Sequence, residues 1–147
     1  MNKQKFMKWA LPALLMSGMV FEIMPGSVSY YAKDAAENAE AAWNFFSVPV
    51  EGMAASCLPV AGVVTFAALL LALAAAFFHK EQFYRIIGWL CLAAGALASA
   101  PYLMRPTDEF LQPNVVILLI LTASWLLAMA LDKRKAQAET DTLGSRL

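Results

Sequence analysis

CLPVAGVVTFAALLLALAAAFF, residues 57–78, runs for 22 positions without a charge. As a helix it would rise about 33 Å, enough to cross the roughly 30 Å hydrocarbon core of a bilayer. Lipid offers no hydrogen bonds, so the backbone of such a run must pair within its own segment. A transmembrane helix is the expectation, and the rest of the chain is read outward from it.

Three more apolar runs follow the same logic. Residues 86–104 (IIGWLCLAAGALASAPYLM) and 115–131 (VVILLILTASWLLAMAL) are uncharged, whereas residues 9–24 (WALPALLMSGMVFEIM) contain Pro12 and Glu22. The 147 residues are 61% hydrophobic, against roughly 45–50% in soluble domains. An all-α integral membrane four-helix bundle is therefore expected, forming one domain, with the lipid bilayer as its first partner.

Charge orients the spans. Lys3, Lys5, Lys8, Lys80, Arg85, Lys133, Arg134, Lys135 and Arg146 fall on one side, and only Lys33 and Arg105 on the other. Positive loops stay cytoplasmic, which puts both termini inside, suggests a plasma (cytoplasmic) membrane and agrees with an even number of spans. The segment SVS at residues 27–29, after a charged start and an apolar stretch, also permits a cleaved signal peptide, which would leave three spans. Lys plus Arg balances Asp plus Glu at 11 each, so no basic face invites a nucleic acid.

Between spans one and two lies the only long outer connection. Lys33, Glu37, Glu40 and Asn44 recur at spacings of four, three and four, with Tyr31, Ala35, Ala39, Ala42 and Phe46 on the opposite side. This spacing predicts an extracytoplasmic amphipathic helix over residues 30–46. Its net negative charge gives it no attraction to anionic headgroups. It would cap the bundle or meet a protein partner through Tyr30, Tyr31, Trp43, Phe45 and Phe46. Residues 136–147 are polar with little to bury and are expected to be mobile.

Candidate chemistry is sparse. Glu22 is the one acid inside a span, a costly placement that marks a candidate ion- or proton-binding group. It lies fourteen residues beyond Lys8, about 21 Å along a helix, in the outer third of the membrane. There it could serve transport or reach back to water at the helix end. Cys57 and Cys91 fall near opposite faces, too far apart for a disulfide. A single histidine, His79, and no clustered ligands give no metal site, and no cofactor or catalytic motif is present. Small residues at spacings of four, Cys91, Gly95 and Ser99 on span three and Ala68, Ala72 and Ala76 on span two, would let these helices approach each other.

The layout resembles that of claudin-like tetraspan proteins, but their loop pattern of one Trp and two Cys is missing, since Trp43 precedes only Cys57. An acid in the first of four spans is similar to small multidrug-type exporters, although here the acid is displaced outward and the first loop is long. Neither family is assigned. The expectation is a small non-enzymatic membrane protein with an accessory or interaction role, and the alternative is a small transporter or channel subunit using Glu22. The sequence gives no indication of the oligomeric state.

Overall fold

A computed structural model describes residues 3–32, 41–47, 53–78, 81–103 and 109–144. Four helices dominate it: α1 (Lys3–Ile23), α2 (Met53–Phe78), α3 (Tyr84–Leu103) and α4 (Val115–Gly144). Each contains a stretch long and apolar enough to cross a membrane: Phe6–Ile23, Ser56–Phe78, Tyr84–Pro101 and Val115–Arg134. Helices that follow one another in the chain pack side by side, and α4 returns to α1 to close the ring. A short 3₁₀ turn, Glu81–Phe83, leads into α3. Polar sequence does not stop α4, which continues through the tail to Gly144.

Two clusters of buried side chains fill the bundle. Leu11 and Leu15 of α1, Ala68 and Ala72 of α2, Ile87 and Cys91 of α3, and Ala128 and Leu131 of α4 form the cluster nearer the termini. Leu58 and Ala61 of α2, Ala94 and Ala98 of α3, and Ile117 and Leu121 of α4 form the second, completed by Val28 and Phe45 from outside the helices. Large apolar side chains such as Phe66, Leu70, Trp89 and Leu119 point outward, as lipid-facing positions should. Trp9 of α1 meets Phe77 of α2 edge to face at 5.0 Å, which ties the first two helices at the terminal end. Tyr84, at the start of α3, is buried in the cluster near the termini.

At the opposite end the chain departs from the all-helical expectation. Three strands, β1 (Val28–Ala32), β2 (Ala41–Trp43) and β3 (Glu109–Pro113), form an antiparallel sheet in the order β2-β1-β3. Val28 pairs with Trp43 on one side and with Pro113 on the other. The helix expected over 30–46 is therefore replaced by strand at Tyr30, Tyr31 and Ala32 and again at 41–43. Residues 33–40, the middle of that helix and the site of its Lys33–Glu37 pair, lie outside the described residues, as do His79 and Lys80. The physical reason is pairing. As the middle strand, β1 meets backbone partners on both sides, and Val28, Tyr30 and Tyr31 favour a pleated surface.

The small-residue stripe on α3 is divided between two neighbours, since Cys91 shares a buried cluster with Ala68 and Ala72 of α2, whereas Gly95 turns toward α4. A Cβ on Gly88 would lie 3.1 Å from Sδ of Met129, and one on Gly95 would lie 4.0 Å from Cβ of Leu121, both on α4. Cys91, Gly95 and Ser99 line a groove of about 340 Å³ between α3 and α4, with Leu118, Leu121 and Trp125 across it. Consecutive positions of α3 divide the work. Ala94 and Ala98 fill the bundle interior, and Gly95 and Ser99, one position along, turn toward α4.

A buried acid beneath the sheet

The site begins where α1 ends. Pro25 disfavours helix at the residue before it, and Gly26 takes φ +91°, the left-handed region open to glycine. Ser27 N–H donates to the Met24 carbonyl at 3.3 Å, closing a type II turn with Pro and Gly at its two central positions. The chain reverses there into β1.

Stopping at Ile23 leaves the last carbonyls of α1 without helical donors. The Glu22 carbonyl recovers two. Phe45 N–H donates to it at 3.1 Å, and Ser27 Oγ donates to it at 3.2 Å. Phe45 belongs to a self-supporting turn, residues 44–47, in which Ser47 N–H donates to the Asn44 carbonyl and Phe46 N–H to Asn44 Oδ1. This turn plugs the space over α1. Phe45 is fully buried in the second core cluster, and the half-exposed Phe46 ring lies against Gly62 of α2.

Beneath the plug, the Glu22 side chain is fully buried. It turns into the bundle and does not reach water at the helix end. Thr65 Oγ1 of α2 donates to Glu22 Oε1 at 2.9 Å. The same hydroxyl lies 3.0 Å from the Ala61 carbonyl one turn earlier. Oε2 of Glu22 has no hydrogen-bond partner among the described residues. The acid also sits in the last turn of α1, where the helix dipole opposes negative charge. Three features thus work against the placement, and among the described residues only one hydrogen bond to the carboxyl supports it.

The hydrogen-bonded string continues to α4. Asn114 N–H donates to the Ser27 carbonyl at 2.8 Å, and the Asn114 side chain accepts from Val116 N–H at 2.9 Å as the N-cap of α4. The end of α1, the plug, the first turn of β1 and the start of α4 are therefore joined through Glu22, Ser27 and Asn114.

The structure places the expected residues unevenly. Glu22, Phe45 and Phe46 come together, whereas Tyr30, Tyr31 and Trp43 are strand residues whose side chains lie outside the described ones. Thr65, Ser27 and Asn114 did not stand out in the sequence. Thr65 does leave one trace, being the lone hydroxyl residue in the uncharged run of 57–78. Cys57 is half-buried, Cys91 is buried, and neither forms a disulfide. Among the described residues no cluster of His, Cys, Asp or Glu could hold a metal ion. Comparison with protein-family models, with curated proteins and with solved structures gave no match.

Proposed function

We propose that this chain is a small non-enzymatic protein of the plasma membrane, with an accessory or interaction role, whose sheet end faces outward and receives a protein partner. The observation that carries this reading is the joining of the α1–α2 and α3–α4 connections into one sheet anchored to the bundle by Glu22, Ser27 and Asn114. An end built in this way offers a fixed surface. Two of its strands, β2 and β3, are edges that could pair with an incoming strand. The nine cations grouped on the side of the termini support the orientation. A photoreactive cross-linker at Tyr31 or Phe110, in native membrane, tests it. An intermolecular product is expected, and its absence at both positions, with the protein present and folded, would count against the reading.

The buried carboxyl favours a second reading, that of a small transporter or channel subunit in which Glu22 binds a cation or a proton. Its support is the oxygen Oε2, which lacks a donor among the described residues. Flux measurements on reconstituted vesicles with Glu22→Gln separate the two, since an accessory protein has no flux to lose.

A further inference from the structure

We propose that Glu22 and Thr65 form a proton-binding site whose occupancy controls the seating of the 44–47 plug on the end of α1. The inference rests on the reading of Glu22 as an ion- or proton-binding acid and adds what the proton governs. It does not require net transport.

The site has fewer hydrogens than acceptors. Thr65 has one hydroxyl hydrogen and two acceptors within reach, Glu22 Oε1 at 2.9 Å and the Ala61 carbonyl at 3.0 Å. Oε2 is a further buried acceptor with no donor among the described residues. With the carboxyl ionised, the Thr65 hydrogen turns to Oε1, and a charged oxygen remains dry and unpaired, which is costly. One proton on Oε1 reverses this. Glu22 then donates to Thr65 Oγ1, Thr65 donates to the Ala61 carbonyl, and Oε2 becomes a neutral carbonyl oxygen. Only an O–H bond forms, and no other reactant is consumed. The 2.9 Å separation is an O–H···O spacing, and the shortage at the site is of hydrogens.

The described residues of α2, α4 and the plug bring few titratable groups to the site. Cys57 is the only titratable side chain on α2, residues 115–131 of α4 carry none, and neither do residues 44–47. The sheet brings Tyr30 and Tyr31 on β1 and Glu109 on β3.

The link to the plug is one residue long and ends in a hydrogen bond. The residue that takes up the proton also holds, through its own carbonyl, the Phe45 N–H and the Ser27 hydroxyl. When the carboxyl is charged, Oε2 calls for water, and in this proposal water enters beside Phe45, whose N–H is held by the Glu22 carbonyl. Deprotonation therefore unseats the plug, and protonation seats it.

Two measurements on the full chain in lipid nanodiscs test this. Infrared difference spectra between about pH 4 and pH 9, the range in which a carboxyl with a normal or a perturbed environment titrates, should show a protonated-carboxyl stretch that disappears in Glu22→Gln and shifts in Thr65→Val. Hydrogen exchange at Phe45, corrected for the intrinsic pH effect, should quicken by about tenfold across that transition in the parent, the scale of one net hydrogen bond. It should stay flat in Glu22→Gln. Absence of the band overturns proton binding itself. A band with pH-independent exchange at Phe45 overturns the coupling while leaving proton binding intact. A band altered by sodium at fixed pH overturns the choice of proton over cation. Thr65→Ser, which keeps the hydroxyl, should behave as the parent, and if it behaves as Thr65→Val the hydrogen-bond relay is wrong.

Discussion

The ring of Phe46 lies directly on the bare Cα of Gly62, filling the volume that any side chain there would occupy. The plug thus reaches α2 as well as α1, and Gly62 is the position that lets it do so. Gly62→Leu should displace the ring and lower stability by about 1–3 kcal/mol, as overpacking does. Gly62→Ala gains about 1 kcal/mol in helix propensity and should come out closer to neutral. Thermal unfolding in detergent checks both. Adding Phe46→Ala to Gly62→Leu should recover part of the loss, which a double-mutant cycle will read as coupling.

Thr65→Val keeps the shape of the side chain and removes the only donor to the Glu22 carboxyl among the described residues. A buried group stripped of its partner costs about 1–3 kcal/mol. Thr65→Ser should cost far less, since the hydroxyl remains. Equal losses in the two variants, measured by reversible unfolding in mixed micelles, would show that the hydrogen bond contributes nothing.

Asn114 serves two elements at once, capping α4 and holding the Ser27 carbonyl through its N–H. Only the first role uses the side chain. Asn114→Ala is therefore expected to cost about 1 kcal/mol, the usual worth of an N-cap, and Asn114→Asp close to nothing. Protease resistance near Ser27 should survive both substitutions, because the backbone bond is unchanged.

Two glycines on α3 should respond differently to the same substitution. A Cβ on Gly88 would meet Met129 Sδ at 3.1 Å, whereas Gly95 opens on the groove beside Leu121. Gly88→Leu must push α3 and α4 apart and should cost several kcal/mol, while Gly95→Leu has a groove to occupy and should cost less than about 1 kcal/mol. Detergent-solubilised yield and melting temperature should rank them in that order, and the reverse order would mean that the helix pair is packed the other way round.

The readable part of the fold was the part set by local composition. An uncharged run of spanning length has one outcome in lipid, so α2 and α4 could be read from residues 57–78 and 115–131 alone. β1 was hidden because its reason for being a strand lies elsewhere in the chain, in the pairing of Ala32 with Glu109 and of Val28 with Pro113. Meanwhile the spacing of Lys33, Glu37, Glu40 and Asn44 pointed to helix, and at 41–43 pairing overrode it. Within the site, Glu22 stood out as the lone acid in an apolar stretch. The Ser27 carbonyl and the N–H of Asn114 could not stand out, because backbone hydrogen bonds leave no mark in the order of side chains, and the Ser27 hydroxyl acts on a carbonyl, an acceptor every residue carries.

The middle strand of the sheet leaves the ribosome long before its second partner. Glu109 follows Val28 by 81 positions (109 − 28), and β3 is the last strand made. At about 5–20 residues per second, β1 waits roughly 4–16 seconds for β3. During that interval the first three helices have been synthesised, yet the end they share is unfinished. Closure of the sheet therefore reports delivery of the chain through β3: a chain arrested or truncated before residue 109 would display β1 with one side open, where quality-control factors that read unpaired strands could find it.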